Sequence, residues 1–174
     1  MNIASNARSV IRGATGLSVL FCAMASTDAA AATVRAHAYT ATAVCEAPLP
    51  VYDATLRKRT RGILNEGSSP IFISCSVPGD TVGDQTTGTL AVYFQSFGSA
   101  NATINCTLNA GSRLGGAGTI AGSTVVGAGG GNNIVWSNVD KVTYYGAYNV
   151  SCNVPGDIEM GMIFLSETDD GNAL

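Results

Sequence analysis

Four cationic side chains occur within five consecutive positions of this sequence, at Arg57, Lys58, Arg59 and Arg61. A cluster of this kind is suited to binding anionic partners such as lipopolysaccharide, acidic glycans or teichoic-type polymers. It is equally what an edge strand carries when its charges prevent pairing with the edge of another sheet. The sequence therefore leaves two interpretations of this cluster, here called the basic patch: an anion-binding surface or a protected strand edge.

The sequence offers little for catalysis. A Ser-His-Asp or Cys-His arrangement needs a histidine, and the single histidine, His37, lies near the start of the expected domain. Carboxylates that a glycosidase would require are present, but they sit beside turn residues, where acidic side chains are common. These are Asp53, Glu66, Asp80, Asp84, Asp157 and Glu159. C-x-x-C and EF-hand spacings are lacking, so we predict no catalytic residue, no metal and no cofactor.

Four cysteines follow the first thirty-two residues: Cys45, Cys75, Cys106 and Cys152. An even number in an exported chain predicts two disulfides formed in an oxidising compartment. Four cysteines permit three connectivities. The pairs Cys45–Cys75 and Cys106–Cys152 fit best, because each pair would then connect one copy of an internal repeat.

That repeat is the segment Ser74–Asp80, which returns as Ser151–Asp157 with six of seven residues identical at an offset of 77. Each copy has a cysteine at the end of an apolar run, followed by Pro-Gly-Asp. Proline presets φ for the first central position of a turn, and glycine supplies the positive φ of the second. The repeat therefore predicts two similar halves, each with a cysteine-bearing strand, a turn and a closing strand.

The segments between the turns are typical of β-strands, and none is convincingly helical. Ala102–Leu108 alternates apolar and polar residues, which predicts a half-buried antiparallel strand with Cys106 in the core. Further strands are expected in Val34–Cys45, Thr89–Gln95, Asn133–Val139, Gly146–Cys152 and Ile158–Leu165. The predicted fold is all-β: an antiparallel sandwich of about eight strands with pseudo-duplicated halves and two disulfides.

Two other features invite a functional interpretation. Gly111–Gly131 is rich in glycine, but no Gly-Lys-Ser/Thr follows it, so a hairpin or surface loop is expected and not a phosphate site. Trp136 lies in an alternating strand, where an aromatic is usually a core residue and less often a platform for a sugar ring.

Residues 1–32 resemble a signal peptide: Arg8 and Arg12 precede the short apolar run Gly13–Met24. The run is too short to span a bilayer. Small residues offer cleavage sites after position 25 and after positions 30–32.

We expect a β-sandwich domain over 33–166 and a flexible tail over 167–174. Loss of the leader changes the formal net charge from −3 to −4, which disfavours nucleic acid as a partner.

Several segments resemble a group of small secreted, four-cysteine β-sandwich proteins of Gram-negative bacteria, to which no activity is assigned. The resemblance extends over most of the chain after the leader. The matching segments are Cys45–Pro50, Arg57–Gly67, Phe72–Cys75, Asn105–Thr107 and Tyr148–Cys152. It implies export and a sandwich fold but transfers no functional residue.

Together these observations predict an exported, non-enzymatic protein of the periplasm or cell surface with a structural, adhesive or binding role. The alternative is a carbohydrate- or polyanion-binding module that uses the basic patch with exposed tyrosines such as Tyr144 and Tyr145. The expected partners are envelope polysaccharide or another exported protein.

Overall fold

The computed structural model describes residues 33–47, 54–79, 87–111, 118–140 and 147–169, and these form two antiparallel sheets. The predicted all-β sandwich is confirmed. Eight strands are seven or more residues long, and three are short. The elements are β1 (Thr33–Thr40), α1 (Ala41–Val44), β2 (Cys45–Glu46), β3 (Leu56–Lys58), β4 (Ile63–Asn65), β5 (Ile71–Val77), β6 (Thr87–Ser96), β7 (Ala102–Gly111), β8 (Gly118–Val126), β9 (Gly131–Asp140), β10 (Ala147–Val154) and β11 (Ile158–Asp169).

The five-stranded sheet has the order β2-β5-β10-β7-β8. The six-stranded sheet has the order β3-β4-β11-β6-β9, and β1 also pairs with β11. The long strand β11 is paired with β6 along one edge. Along its other edge it is paired with β4 near its start and with β1 from Met162 onward. The ladder between β11 and β6 is irregular between Met160 and Ile163, which marks a β-bulge.

The core lies between the sheets and follows from alternation along each strand. In β5, every second residue from Ile71 to Val77 is buried, and the residues between them are exposed. Strand β7 shows the predicted pattern, with Ile104, Cys106 and Leu108 buried. Across the core, the Cys75 sulfur contacts the Met160 sulfur at 3.9 Å. Period-two patterning thus separates an apolar interior from two outer faces.

Both disulfides form on the inner side of the five-stranded sheet. Cys45 is bonded to Cys75, and Cys106 to Cys152, with sequence separations of 30 and 46. In each bridge the two cysteines lie directly opposite each other on adjacent strands. The connectivity favoured by the repeat is therefore the one in the structure.

The sequence repeat corresponds to a local twofold axis. Ser74 pairs directly with Ser151 in the β5–β10 ladder, and these residues are 77 positions apart. In the other sheet Thr89 pairs with Ser166, again 77 positions apart. A twofold rotation at the centre of an antiparallel pair exchanges its two strands. In both sheets the residues at that centre are 77 positions apart, so the offset of the sequence repeat relates β5 to β10 and β6 to β11. The duplication is thus a property of the four central strands.

Of the hairpin and the surface loop expected for Gly111–Gly131, the structure contains a hairpin strand, because β8 is paired with β7 over nine registers. Two expectations about segment boundaries need correction. Val34–Cys45 is interrupted by the single helical turn α1. Strand β11 continues to Asp169, and Glu167 is fully buried, so the tail expected from 167 begins no earlier than 170. The predicted signal peptide, 1–32, lies outside the described residues.

We predict that replacing either cysteine pair with alanines lowers the free energy of unfolding by about 3–4 kcal/mol, because each bridge restricts the unfolded chain. Urea denaturation of the two double variants measures this loss. The variants should differ in hydrogen exchange. Cys45–Cys75 attaches the two-residue strand β2, which is paired with β5 over two registers, whereas β7 and β10 are already paired over seven registers.

Amide exchange of α1 and β2 should therefore accelerate in the Cys45→Ala/Cys75→Ala variant and much less in the Cys106→Ala/Cys152→Ala variant. Equal protection of α1 and β2 in both variants would contradict this assignment of the first bridge.

Candidate functional site

The outer face of the five-stranded sheet carries hydroxyl and amide side chains in rows that cross the strands. The middle row joins Ser74, Ser151 and Thr107, which are direct cross-strand neighbours. A row on each side repeats this chemistry. We call these side chains the amide–hydroxyl face: Ser74, Ser76, Asn105, Thr107, Asn109, Thr119, Ser123, Asn149, Ser151 and Asn153.

The strand period produces this face directly. Cysteines and aliphatic residues of β5, β7 and β10 point inward, so the residues between them point outward on the same side. Direct cross-strand neighbours have Cβ atoms about 4.5–5.5 Å apart. Hydroxyl and amide groups are therefore held at short, regular spacing on a rigid sheet. Among the described residues of this face, the charged side chain is Glu46, at the rim opposite Ser74.

Some of these polar groups bond to one another, and others are available to a ligand. The Ser74 and Ser151 hydroxyls lie 3.4 Å apart, and the Thr119 hydroxyl donates to the Asn109 side-chain oxygen. Within the described part of the chain, the side-chain amides of Asn105 and Asn153 make no hydrogen bond. These two are direct neighbours and present donors and acceptors together.

Two shallow concavities cover most of this surface. One of about 710 Å³ is lined by Ser74, Ser76, Asn109, Asn149 and Ser151, with Glu46 and Pro78 at its border. The other, of about 450 Å³, is lined by Phe72, Asn105, Thr107, Ser123 and Asn153. Ser151 borders both, so they adjoin. Phe72 is 56% exposed, an unusual position for a phenylalanine, and it lies directly opposite Asn153.

The basic patch lies on β3 and on the connection to β4. Strand β3 is at the edge of the six-stranded sheet, as the edge-strand interpretation predicts. Two of the four cations share one carboxylate: the Glu66 Oε1 atom is 2.9 Å from Arg57 Nε and 3.4 Å from an Arg59 guanidinium nitrogen. The Arg59 guanidinium also lies over the Phe97 ring, 5.3 Å from its centroid.

The other two cations of the patch, Lys58 and Arg61, are exposed and make no ion pair within the described residues. The structure thus divides the patch into a neutralised half and a free half. Anion binding by all four residues stays a prediction, and the geometry favours Lys58 and Arg61 for it.

The other sequence-derived candidates that the structure describes lie on separate elements. His37 lies on the outlying strand β1, and Glu159 is buried on β11. No group of three or more His, Cys, Asp or Glu side chains suited to a metal occurs in the described part of the chain. Trp136 is 5% exposed and packs in the core, as expected for an aromatic in a strand. Tyr144, Tyr145, Asp53, Asp80 and Asp84 lie outside the described residues.

The described residues also contain no helix long and apolar enough to be a membrane span.

Sequence reasoning missed the amide–hydroxyl face. Its signal was present, because Ser, Asn and Thr occupy every second position of Ser74–Ser76, Thr103–Asn109 and Asn149–Asn153. Taken strand by strand, this pattern only indicates exposure to solvent. The face can be recognised only when β5, β10 and β7 are adjacent in the sheet, because the exposed polar residues of the three strands then form one continuous surface.

Comparisons with solved structures identify β-sandwiches. A Cellvibrio mixtus carbohydrate-binding module solved with cellotriose has a TM-score of 0.44 and 12% identity, over 74% of this chain and 95% of that one. An infectious bursal disease virus structure has a TM-score of 0.46 and 14% identity, over 81% and 33%. A two-module Clostridium thermocellum xylanase solved with xylohexaose has a TM-score of 0.43 and 14% identity, over 64% and 22%.

The chain thus spans less than two thirds of the length of the virus protein and of the xylanase. At these identities the likeness is one of fold. No family model and no curated protein matches the sequence.

We predict that Glu66→Gln releases Arg57 and Arg59 and raises retention on a cation exchanger. The free energy of unfolding should change by less than about 1 kcal/mol, because the ion pairs are solvent-exposed. Asp157→Asn changes the net charge equally, at an exposed turn position where no ion pair is formed within the described residues, and is the matched control. Retention that rises equally in both variants would show that Glu66 does not mask the basic patch.

Proposed function

We propose that this protein is an exported, non-enzymatic binding protein whose amide–hydroxyl face recognises a neutral polysaccharide. The observation that supports this most strongly is the set of three cross-strand rows of amide and hydroxyl groups on one side of the five-stranded sheet. Export is supported by the two disulfides and by the predicted leader.

The chemistry of the face matches that of a sugar. Every sugar hydroxyl both donates and accepts hydrogen bonds, and an asparagine amide offers a donor and an acceptor side by side. Among the described residues, the Asn105 and Asn153 amides have no hydrogen-bond partner and can do so. Phe72 adds an apolar surface next to Asn153, on which the C–H face of a sugar ring can rest. The part of this face that the structure describes carries no cation, which favours a neutral ligand over an acidic one.

The scaffold favours binding over catalysis. The strands that carry the face are fixed from behind, because Cys75, Cys106 and Cys152 lie between its residues and point into the core. A surface that is already rigid loses little conformational entropy when a ligand binds. Its shallow, extended shape suits several units of a chain polymer better than one enclosed small molecule.

We predict that Asn105→Ala combined with Asn153→Ala weakens binding of neutral oligosaccharides by about thirtyfold, since each of the two lost hydrogen bonds contributes on the order of 1 kcal/mol. Phe72→Ala should weaken binding by about tenfold. Isothermal titration calorimetry against β-linked hexamers of glucose, xylose, mannose and galactose measures both effects.

The control is Ser137→Ala with Val135→Ala, two exposed positions on β9 of the other sheet. This variant should bind like the unmodified protein. If none of the neutral hexamers binds, or if the control variant loses as much affinity as the face variants, the proposal is wrong.

A further inference from the structure

The six-stranded sheet has its own aromatic platform on the opposite side of the sandwich. Tyr93, in the middle of β6, is 41% exposed on the outer face. Asn133 lies directly opposite it on β9. On the other side, the β-bulge of β11 between Met160 and Ile163 puts Gly161 next to Tyr93.

Gly161 leaves a gap beside the tyrosine ring. A Cβ atom there would lie 3.6 Å from the Tyr93 carbonyl oxygen and 3.8 Å from the Arg61 carbonyl oxygen. The gap belongs to a shallow cavity of about 440 Å³. It is lined by Tyr93, Gln95, Asn132, Asn133 and the glycines Gly131 and Gly161. The cavity is thus bordered mainly by glycine backbone and amide side chains, and the exposed Met162 shares the β11 bulge with Gly161.

Arg61, one of the two residues in the free half of the basic patch, borders Gly161 through its backbone on the side away from Tyr93. A Cβ on Gly62 would lie 2.8 Å from the Gly161 Cα, so the Arg61-Gly62 backbone is in contact with Gly161. Arg61 is exposed and makes no ion pair within the described residues, whereas Arg57 and Arg59 are held by Glu66. Across the outer face the order of the backbones is therefore Arg61, Gly161, Tyr93. Since adjacent strands are about 4.8 Å apart, the long, exposed Arg61 side chain begins within reach of a ligand that rests on Tyr93 above Gly161.

We propose that this space is a second binding site, specific for an acidic sugar residue of the uronic acid type. The sugar ring stacks on Tyr93 above Gly161, and its carboxylate pairs with the Arg61 guanidinium. The Asn133 side-chain amide donates to and accepts from its hydroxyls, and the Gln95 side-chain oxygen accepts from them; the Gln95 amide nitrogen already donates to the Ser96 and Gly129 carbonyls. The site lies on another face and takes another ligand class than the amide–hydroxyl face, so it does not depend on that function.

Calorimetric titration with tetrasaccharides of galacturonate, mannuronate and guluronate tests the proposal. Tyr93→Ala and Arg61→Gln are each expected to weaken binding of the preferred tetrasaccharide by about tenfold. Gly161→Val should also abolish most of the binding, since it fills the gap while leaving both the ring and the charge in place. Binding should weaken as ionic strength rises.

Arg57→Gln is the matched control, because it removes the same charge from the same patch at a position already paired with Glu66. It should bind nearly as well as the unmodified protein. Melting temperatures establish that each variant is folded, and the Asn105→Ala/Asn153→Ala variant should keep full affinity for the acidic ligand.

Three results would overturn the second site: absence of binding to all three acidic tetrasaccharides, equal loss in Arg57→Gln and Arg61→Gln, or equal affinity of the Asn105→Ala/Asn153→Ala variant for acidic and neutral galactose tetrasaccharides. Equal loss in the two arginine variants would indicate attraction by the overall charge of the patch. None of these results affects the neutral-glycan proposal, which is tested on the other face.

Discussion

The register of β5, β10 and β7 is the constraint on which both sides of the five-stranded sheet depend. Ser151 lies opposite Ser74 and Thr107, and Cys152, one position further, lies opposite Cys106. A shift of one residue would move the cysteines to the solvent side and bury hydroxyl and amide groups in the core. The Cys106–Cys152 bond excludes that shift covalently. The bridge in the interior therefore also fixes the surface pattern on the reverse of the sheet.

Much of the fold could be predicted from local patterns. Alternation in Ala102–Leu108 correctly placed Cys106 inside, and the repeated Ser-Cys segment indicated both the duplication and the pairing of the cysteines. The failures also have local causes. Strand β8 is made of Gly, Ala, Ser and Thr with few apolar residues, so its composition is that of a loop until pairing with β7 provides its hydrogen bonds. Glu167 was assigned to a tail because acidic residues cluster around it, yet its position on β11 is buried.

The two proposed binding surfaces could not be predicted from local sequence patterns in the same way. Each is assembled from strands distant in sequence, and no single strand has a composition that indicates a ligand. The pocket beside Tyr93 requires a bulge at Gly161 and the Arg61-Gly62 backbone to lie against it, and neither contact has a local signal. The basic patch was conspicuous in sequence, but its division depends on the position of Glu66 after folding. The sequence thus shows where the cations lie along the chain, and the fold determines which of them pair with Glu66.

The local twofold that relates β5–β6 to β10–β11 has a consequence for how one half of the chain alone would associate. A polypeptide containing one cysteine strand, one turn and one closing strand would expose a self-complementary edge, and two copies would join symmetrically at the serine pair now formed by Ser74 and Ser151. The central strands of the present molecule are arranged as they would be in such a homodimer. The outer strands do not follow this twofold, because β3 and β4, with the basic patch, lie at one edge and β8 lies at the other.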